Sequence, residues 1–171
     1  MTQSVKLKTQ IKPNFWRLCA APMMGVTHRH YRYLLRLISP RTRLYSEMLH
    51  ARAVLHGDRA QLLGFDALEQ PVALQLGGCD AKSLATAARI GEQHGYAEIN
   101  LNIGCPSPRV QSGQFGVCLM RQPELVAECV ALMKANVRCP VTIKTRIGVD
   151  HDDHYEFLER LAVAVIDAGA D

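Results

Sequence analysis

Residues 99–108 read I-N-L-N-I-G-C-P-S-P, and this stretch decides the fold. Its first half continues an alternation that places Glu98, Asn100 and Asn102 on one face of a strand and apolar residues on the other. Such a pattern is typical of a sheet that helices cover on its outer face and that closes around polar groups inside. The alternation ends at a glycine, and Cys105 follows directly. A cysteine just past the end of a strand is a candidate for chemistry.

The rest of the chain predicts strands that alternate with helices. The predicted strands cover residues 18–24, 42–48, 72–76, 98–103 and 141–146. Thr27 is the predicted N-cap of the first helix, Pro123 the start of the helix after the fourth strand, and Asp153 the N-cap of the last helix. Five strand–helix units in alternation predict parallel strands joined by right-handed crossovers.

Two architectures fit this alternation: an open doubly wound sheet and a closed (β/α)8 TIM barrel. Residues 22–27 lack the glycine pattern of a dinucleotide-binding turn, which argues against the open sheet. Polar residues recur at the strand ends, as in a barrel with its site on one rim; they are Ser46, Glu47, Gln75, Asn102, Lys144 and Arg146. We therefore predict an α/β fold of the TIM-barrel type. A barrel needs eight units and about 250 residues, so we expect 17–171 to form its N-terminal part, after a flexible lead-in at 1–16.

The composition limits the possible classes of protein. The chain has 171 residues, of which 48% are hydrophobic, so it can bury a core. No apolar run approaches the roughly 18 residues of a membrane helix, and the sequence predicts a soluble cytoplasmic protein. The six cysteines lack metal-binding spacing and predict reduced thiols. His151 and His154 precede a helix that Asp152 and Asp153 are expected to cap, so we predict no metal site.

Charge is distributed unevenly along the chain. Residues 1–60 contain eleven Lys and Arg against only Glu47 and Asp58, a formal charge of +9, whereas the remainder carries 9 basic and 14 acidic residues, or −5. This asymmetry is consistent with a polyanionic partner near the N-terminal half. Solvated helix faces would explain it equally well.

Cys105 has three possible roles: a buried apolar residue, a nucleophile or a general acid. A nucleophilic thiol needs a neighbouring base, and the local motif contains neither histidine nor lysine. An ordinary cysteine thiol, with a pKa near about 8.5, is mostly protonated at neutral pH and can donate a proton. The sequence favours the general acid.

Four other residues accompany Cys105 at the predicted rim. Lys144 and Arg146 share a strand face by the two-residue period and could both point toward an anionic or electron-rich ligand. Gln75 and Asn102 are amides on neighbouring strand ends, and amides can bind the edge of a heterocycle. Each of these residues could instead have a purely structural role.

The motifs together resemble those of tRNA-dihydrouridine synthases. The resemblance spans residues 18–171, is nearest to the bacterial dihydrouridine synthase A branch, and rests on four segments: A-P-M-M-G-V-T at 21–27, Q-L-G-G at 75–78, N-L-N-I-G-C-P-S at 100–107 and K-T-R-I-G-V-D at 144–150. Y-S-E-M at 45–48 and H-G-D-R-A at 56–60 add to it. The sequence departs from the family's usual pattern at Pro108, where an acidic residue is more common, and at Val117, where alanine is usual.

The resemblance implies an FMN-dependent enzyme that uses NADPH to reduce uridines in the D-loop of tRNA to dihydrouridine. It implies flavin binding through Pro22, Met23, Met24, Gln75 and Lys144, substrate contacts at Asn102 and Arg146, and proton donation by Cys105. The family's C-terminal barrel strands and helical tRNA-binding domain have no counterpart in these 171 residues. The full-length protein is expected to be a monomer.

Two alternatives remain open at this point. One is a flavin-dependent barrel oxidoreductase that acts on a free pyrimidine. The other is a catalytically inactive partial barrel that retains at most weak binding of tRNA or a partner. Because the phosphate-binding loops of a complete barrel would follow Asp171, we expect the isolated 171 residues to bind FMN poorly.

Overall fold

A four-stranded parallel sheet lies at the centre of the computed structural model, which describes residues 17–171. The lead-in predicted for 1–16 lies outside these residues. The strands are β1 (Leu44–His50), β2 (Val72–Gly77), β3 (Glu98–Asn102) and β4 (Val141–Lys144). Each pairs in parallel with the next one along the chain. Across these four strands the order does not reverse, whereas a doubly wound sheet reverses its strand order at the switch point. The sheet is thus part of a (β/α)8 barrel, as predicted.

Helices connect the strands and cover one face of the sheet. They are α1 (Arg29–Ile38), α2 (Ala51–His56), α3 (Arg59–Leu63), α4 (Ala81–Gln93), α5 (Pro108–Ser112), α6 (Pro123–Asn136) and α7 (Tyr155–Asp167), with 3-10 turns at Ala67–Glu69 and Gly116–Arg121. Helix α4 packs between α2 and α6, and α6 packs against α7, so the helices follow the strand order. None of the helices described between residues 17 and 171 is long and apolar enough to span a membrane.

The two faces of the sheet differ as the alternation in β3 predicts. On the helix side, Ile99 and Leu101 are fully buried with Leu84 and Ala88 of α4. The residues of β3 that alternate with them, including Asn100, are also buried but polar. Burial of both faces is expected where a sheet has helices outside and a closed interior. The polar face of β3 therefore lies inside the barrel.

The first predicted strand, at 18–24, is wrong in length. Only Cys19 pairs with Arg43, in a single parallel bridge, although this bridge does extend the strand order by one position before β1. Pro22 has no N–H to donate to a ladder, and Gly25 then takes a φ of +73° in a turn. A turn at this point ends the extended segment early.

Both predicted N-caps are displaced by one residue. His28, not Thr27, caps α1, and His154, not Asp153, caps α7, where its Nδ1 accepts from the backbone N–H of Phe157 at 3.2 Å. A neutral imidazole nitrogen accepts a hydrogen bond as a carboxylate does, so a histidine can fill this role. Strand β4 also ends at Lys144, and the predicted strand at 141–146 is two residues too long.

Candidate active site at the carboxyl end of the sheet

A pocket of about 190 Å³ lies at the carboxyl ends of the strands. Its lining is formed by Pro22, Met24, Met48, Gln75, Asn102, Gly104, Cys105, Pro106, Lys144 and Arg146. Seven of the eight residues predicted for the site are in this lining, and Met23 is the exception. They come together because the carboxyl ends of parallel strands share one edge of the sheet.

The loop before α1 is held in place by two side chains. The hydroxyl of buried Thr27 donates to the Met23 carbonyl at 3.1 Å and accepts from the Met23 N–H at 2.9 Å. The N–H of Gly25 donates to Oε1 of Glu47 in β1 at 2.6 Å. These contacts fix Pro22 and Met24 beside the ends of β1 and β2. Met23 contributes backbone groups to this turn rather than a side chain to the pocket.

The backbone of Cys105 is held on both sides. Its N–H donates to Oδ1 of Asn102 at 3.0 Å, and its carbonyl accepts from the N–H of Val117 at 3.0 Å. Gly116 allows the second contact: its φ is +68°, and a Cβ there would lie 2.6 Å from the Cys105 oxygen and 2.4 Å from Cγ1 of Val110. The half-buried thiol therefore stands on a loop with little freedom to move.

Three amides line up across β2 and β3. Nε2 of Gln75 donates to Oδ1 of Asn100 at 2.7 Å, and Nδ2 of Asn102 donates to Oε1 of Gln75 at 2.9 Å. Gln75 is 1% exposed, so these bonds satisfy groups that are costly to bury alone. The amides predicted to face a ligand thus bind each other first. Nε2 of Gln75 keeps one hydrogen that these bonds do not use.

A buried charged cluster lies deeper in the barrel. Arg43 and Glu98 form an ion pair with Nη2–Oε2 at 2.5 Å, both fully enclosed. The carboxylate also accepts from the hydroxyls of Tyr45 at 3.1 Å and Thr142 at 2.5 Å. Burial raises the pKa of Tyr45, and the neighbouring Glu98 carboxylate adds to the rise. Tyr45 therefore stays neutral and donates to Glu98.

Two cations flank the pocket at the end of β4. Within residues 17–171, the Lys144 ammonium has no hydrogen-bond acceptor or carboxylate partner, although the residue lines the pocket. Nε of Arg146 donates to the carbonyl of Gly104 at 2.7 Å. Arg146 thus joins the Cys105 loop to the end of β4. Both residues line the pocket, although only Lys144 belongs to the strand.

The segment before α7 has a structural role. Asp150 and Asp152 both pair with Arg121, at 3.0 and 2.8 Å, and Val149 and Asp152 form a short antiparallel bridge. The capping role predicted for Asp152 is therefore wrong. Among the described residues, no group of three or more His, Cys, Asp or Glu side chains is arranged to hold a metal ion.

Pro108 has a structural role in the loop after Cys105. Ser107 caps α5, with Oγ accepting from the N–H of Val110 at 3.3 Å, and Pro108 follows at the first helical position. Proline is favoured there because its missing N–H would have no partner in the helix. Pro108 therefore starts a short helix beside Cys105, which stays in the pocket lining.

Three contributors to this site were not among the eight predicted site residues. Met48 lines the pocket, Glu47 holds the loop before α1, and Thr142 links Glu98 to the amides. Glu47 stood out as a polar strand end. Thr142 shares a strand face with Lys144 by the two-residue period, but its partners follow from the register that sets it opposite Asn100.

Comparisons with known proteins agree on one family. A family model for dihydrouridine synthase (Dus) matches residues 19–171. Proteins named tRNA-dihydrouridine(20/20a) synthase are 58% identical over 154 residues in Xanthomonas axonopodis pv. citri, 59% over 152 residues in Synechocystis sp. and 54% over 153 residues in Vibrio cholerae. These alignments cover 89–90% of this chain and 46% of each relative. The chain spans about half the length of the curated relatives it matches.

Proposed function

The chain belongs to the dihydrouridine synthase family, and from this membership we propose that its protein is a flavin-dependent oxidoreductase that reduces uridines in the D-loop of tRNA to 5,6-dihydrouridine. The observation that carries the proposal is the pocket at the carboxyl end of the sheet. It combines a thiol, a cation that pairs with none of the residues 17–171, and a hydrogen-bonding amide, contributed by Cys105, Lys144 and Gln75. Because the substrate would be tRNA, we propose a cytoplasmic location for this activity.

The chemistry of the pocket lining supports a flavin as the cofactor. A flavin ring has apolar faces and an edge of nitrogen and oxygen acceptors, and Met24 and Met48 supply apolar surface. The ammonium of Lys144 and the remaining Nε2 hydrogen of Gln75 are donors for that edge. When bound and reduced by NADPH, FMN would supply a hydride to one carbon of the uracil double bond. Pro22, Met23 and Met24 would contact it through the backbone of their turn.

Cys105 would complete the reaction as a proton donor. Addition of a hydride to one carbon of the double bond places an electron pair on the adjacent carbon, which must receive a proton. The thiol of Cys105 can give that proton, and the thiolate then regains one from water. Because two hydrogen bonds fix the backbone of the residue, the thiol would stay beside the pocket while the base binds. Asn102 and Arg146 lie beside it and would position the uracil.

Exposed basic residues surround the same edge of the sheet. Arg52, Lys82 and Arg109 are each the second residue of the helix after β1, β2 and β3, and Arg146 follows β4. Lysine and arginine at such positions can contact the phosphates of a tRNA whose uridine has left its stack. This arrangement favours a polynucleotide over a free pyrimidine.

The basic residues of the N-terminal half contribute less to this surface than their number predicts. Arg32 forms a buried pair with Glu69 at 2.6 Å, and Arg43 pairs with Glu98 inside the barrel. Arg36 donates to backbone carbonyls, one of them that of Pro40 at 2.8 Å. These charges stabilise the fold, so the case for tRNA rests on the residues that follow the strands.

A substrate comparison tests the proposal. The full-length protein, supplied with FMN and NADPH, would be incubated with tRNA that lacks dihydrouridine and, separately, with free uracil. Mass spectrometry of the nucleosides should detect dihydrouridine from tRNA and little dihydrouracil. Preferential reduction of uracil would establish the pyrimidine enzyme instead. No reduction of either compound by flavin-loaded protein would favour an inactive barrel and refute the proposal.

A further inference from the structure

A continuous series of hydrogen bonds joins the buried carboxylate of Glu98 to the backbone of Cys105. We call its members the amide relay: Glu98, Thr142, Asn100, Gln75 and Asn102. Successive members are 2.5, 2.9, 2.7 and 2.9 Å apart, and Oδ1 of Asn102 then accepts from the N–H groups of Gly104 at 3.1 Å and Cys105 at 3.0 Å. The relay crosses three strands because Gln75, Asn100 and Thr142 are direct neighbours in the sheet register.

The chemistry of its first two members gives the relay a direction. A carboxylate can only accept hydrogen bonds, and a hydroxyl has a single hydrogen to donate. Thr142 must therefore donate to Glu98 and can only accept from Asn100. This assignment turns the amide nitrogen of Asn100 toward Thr142 and its oxygen toward Gln75.

The same direction continues to the pocket. The oxygen of Asn100 requires the nitrogen of Gln75 beside it, which leaves the Gln75 oxygen for Asn102. The nitrogen of Asn102 is then used, and its oxygen faces the two N–H groups at residues 104 and 105. In the opposite orientation, the NH₂ group of Asn102 would meet two other donors. An amide has nearly the same shape either way round, so the orientation is set by hydrogen bonds.

We propose that Thr142 is a positioning residue for the site. Its hydroxyl donates to Glu98 and therefore presents only an acceptor to Asn100. This fixes the orientation of the Gln75 and Asn102 amides, and the Asn102 oxygen then holds the Cys105 backbone in place. The effect on catalysis rests on the proposed function, whereas the effect on orientation does not. Arg43 supports the relay by pairing with Glu98.

Three variants of the full chain test this role. Thr142→Val keeps the shape of the side chain and removes the hydroxyl, whereas Thr142→Ser retains the hydroxyl. Thr86→Val is the matched control, since the Thr86 hydroxyl donates only to the Lys82 carbonyl on α4, away from the site. Amide hydrogen exchange of Gly104 and Cys105 reports on the bonds to Asn102. Amides of α6 serve as the internal reference.

Thr142→Val should increase exchange at residues 104 and 105 by about fivefold or more, the effect expected for weakening hydrogen bonds worth about 1 kcal/mol each. In Thr142→Ser and Thr86→Val, the exchange rates of these two amides should stay within about twofold of those in the unmodified protein, well below the effect of one lost hydrogen bond. Exchange in α6 should not change in any folded variant. Thr142→Ala, which removes the same hydroxyl without a compensating methyl, serves as a second test should Thr142→Val not fold.

The result that overturns the proposal is unchanged exchange at residues 104 and 105 in a folded variant without the hydroxyl. An equal increase in Thr142→Ser would overturn it too, because the hydroxyl would then be irrelevant. In the full-length enzyme, Thr142→Val should lower kcat with little change in the KM for tRNA. Failure of the unmodified enzyme to reduce tRNA would refute the proposed function, while the exchange data would still decide the relay.

Discussion

Replacement of Gly116 by alanine should damage the Cys105 loop more than its backbone conformation alone would explain. Gly116 has a φ of +68° and Gly25 a φ of +73°, so alanine at either position takes a left-handed conformation that costs about 1–2 kcal/mol. The two sites differ in space. A Cβ on Gly25 meets nothing within 4 Å, whereas one on Gly116 would lie 2.6 Å from the Cys105 oxygen.

The steric overlap sets the expected difference between the two variants. Insertion of a methyl group into packed surroundings typically costs about 1–3 kcal/mol, so Gly116→Ala should lose about 2–5 kcal/mol of unfolding free energy and Gly25→Ala about 1–2 kcal/mol. Urea unfolding of both variants measures this difference. Because the shift needed to relieve the overlap moves the Cys105 carbonyl, its bond from Val117 should weaken as well. Equal destabilisation by the two substitutions would refute the idea that close packing at Gly116 holds the loop.

Two further predictions concern the buried interior. Arg43→Met should lower the unfolding free energy by about 3–5 kcal/mol, because it leaves the buried Glu98 carboxylate without its cation. In urea unfolding, the double variant Arg43→Met with Glu98→Gln should recover part of this loss. No recovery would contradict the pairing. Burial raises the pKa of Tyr96 from 10.0 to about 12. The neutral phenol therefore stabilises the fold below pH 10, and this contribution, roughly 2–3 kcal/mol, is lost as the pH rises through about 12. Between pH 9 and 12, the unfolding free energy of Tyr96→Phe should therefore fall less than that of the unmodified protein. An equal fall in both proteins would contradict the prediction.

The parts of the fold that depend on local pattern were predictable. The alternation in residues 98–103 correctly placed Asn100 and Asn102 on a polar face and the apolar residues against the helices. Gln75, Cys105 and Lys144 were placed at one rim because each lies near, at or just past the carboxyl end of a recognisable strand. Such features repeat every two residues, and the sequence carries them directly.

The contacts that depend on register or on competition between neighbours were not predictable in the same way. Thr142 acquires its role only because it lies opposite Asn100 across a strand pair. His28 and His154 replaced Thr27 and Asp153 as caps, and a shift of one residue is within the usual uncertainty of a helix end. The charge of Arg43 gave no sign that it would be buried against Glu98, 55 residues away.

The most direct test of the central claim is the rate of dihydrouridine formation by Cys105→Ala in the full-length protein. Cys139→Ala is the matched control. Cys139 lies just before the amino end of β4, whereas Lys144 and the pocket are at the carboxyl end of this strand. Flavin and NADPH would be supplied to both variants, and dihydrouridine in tRNA would be followed in a single turnover. Loss of a general acid typically costs about 10²–10⁴-fold in rate. The rate of dihydrouridine formation should therefore fall by at least about 10²-fold in Cys105→Ala, although this variant should still bind flavin and allow NADPH to reduce it. Cys139→Ala should keep its rate. A Cys105→Ala enzyme that forms dihydrouridine as fast as the unmodified protein would contradict the account.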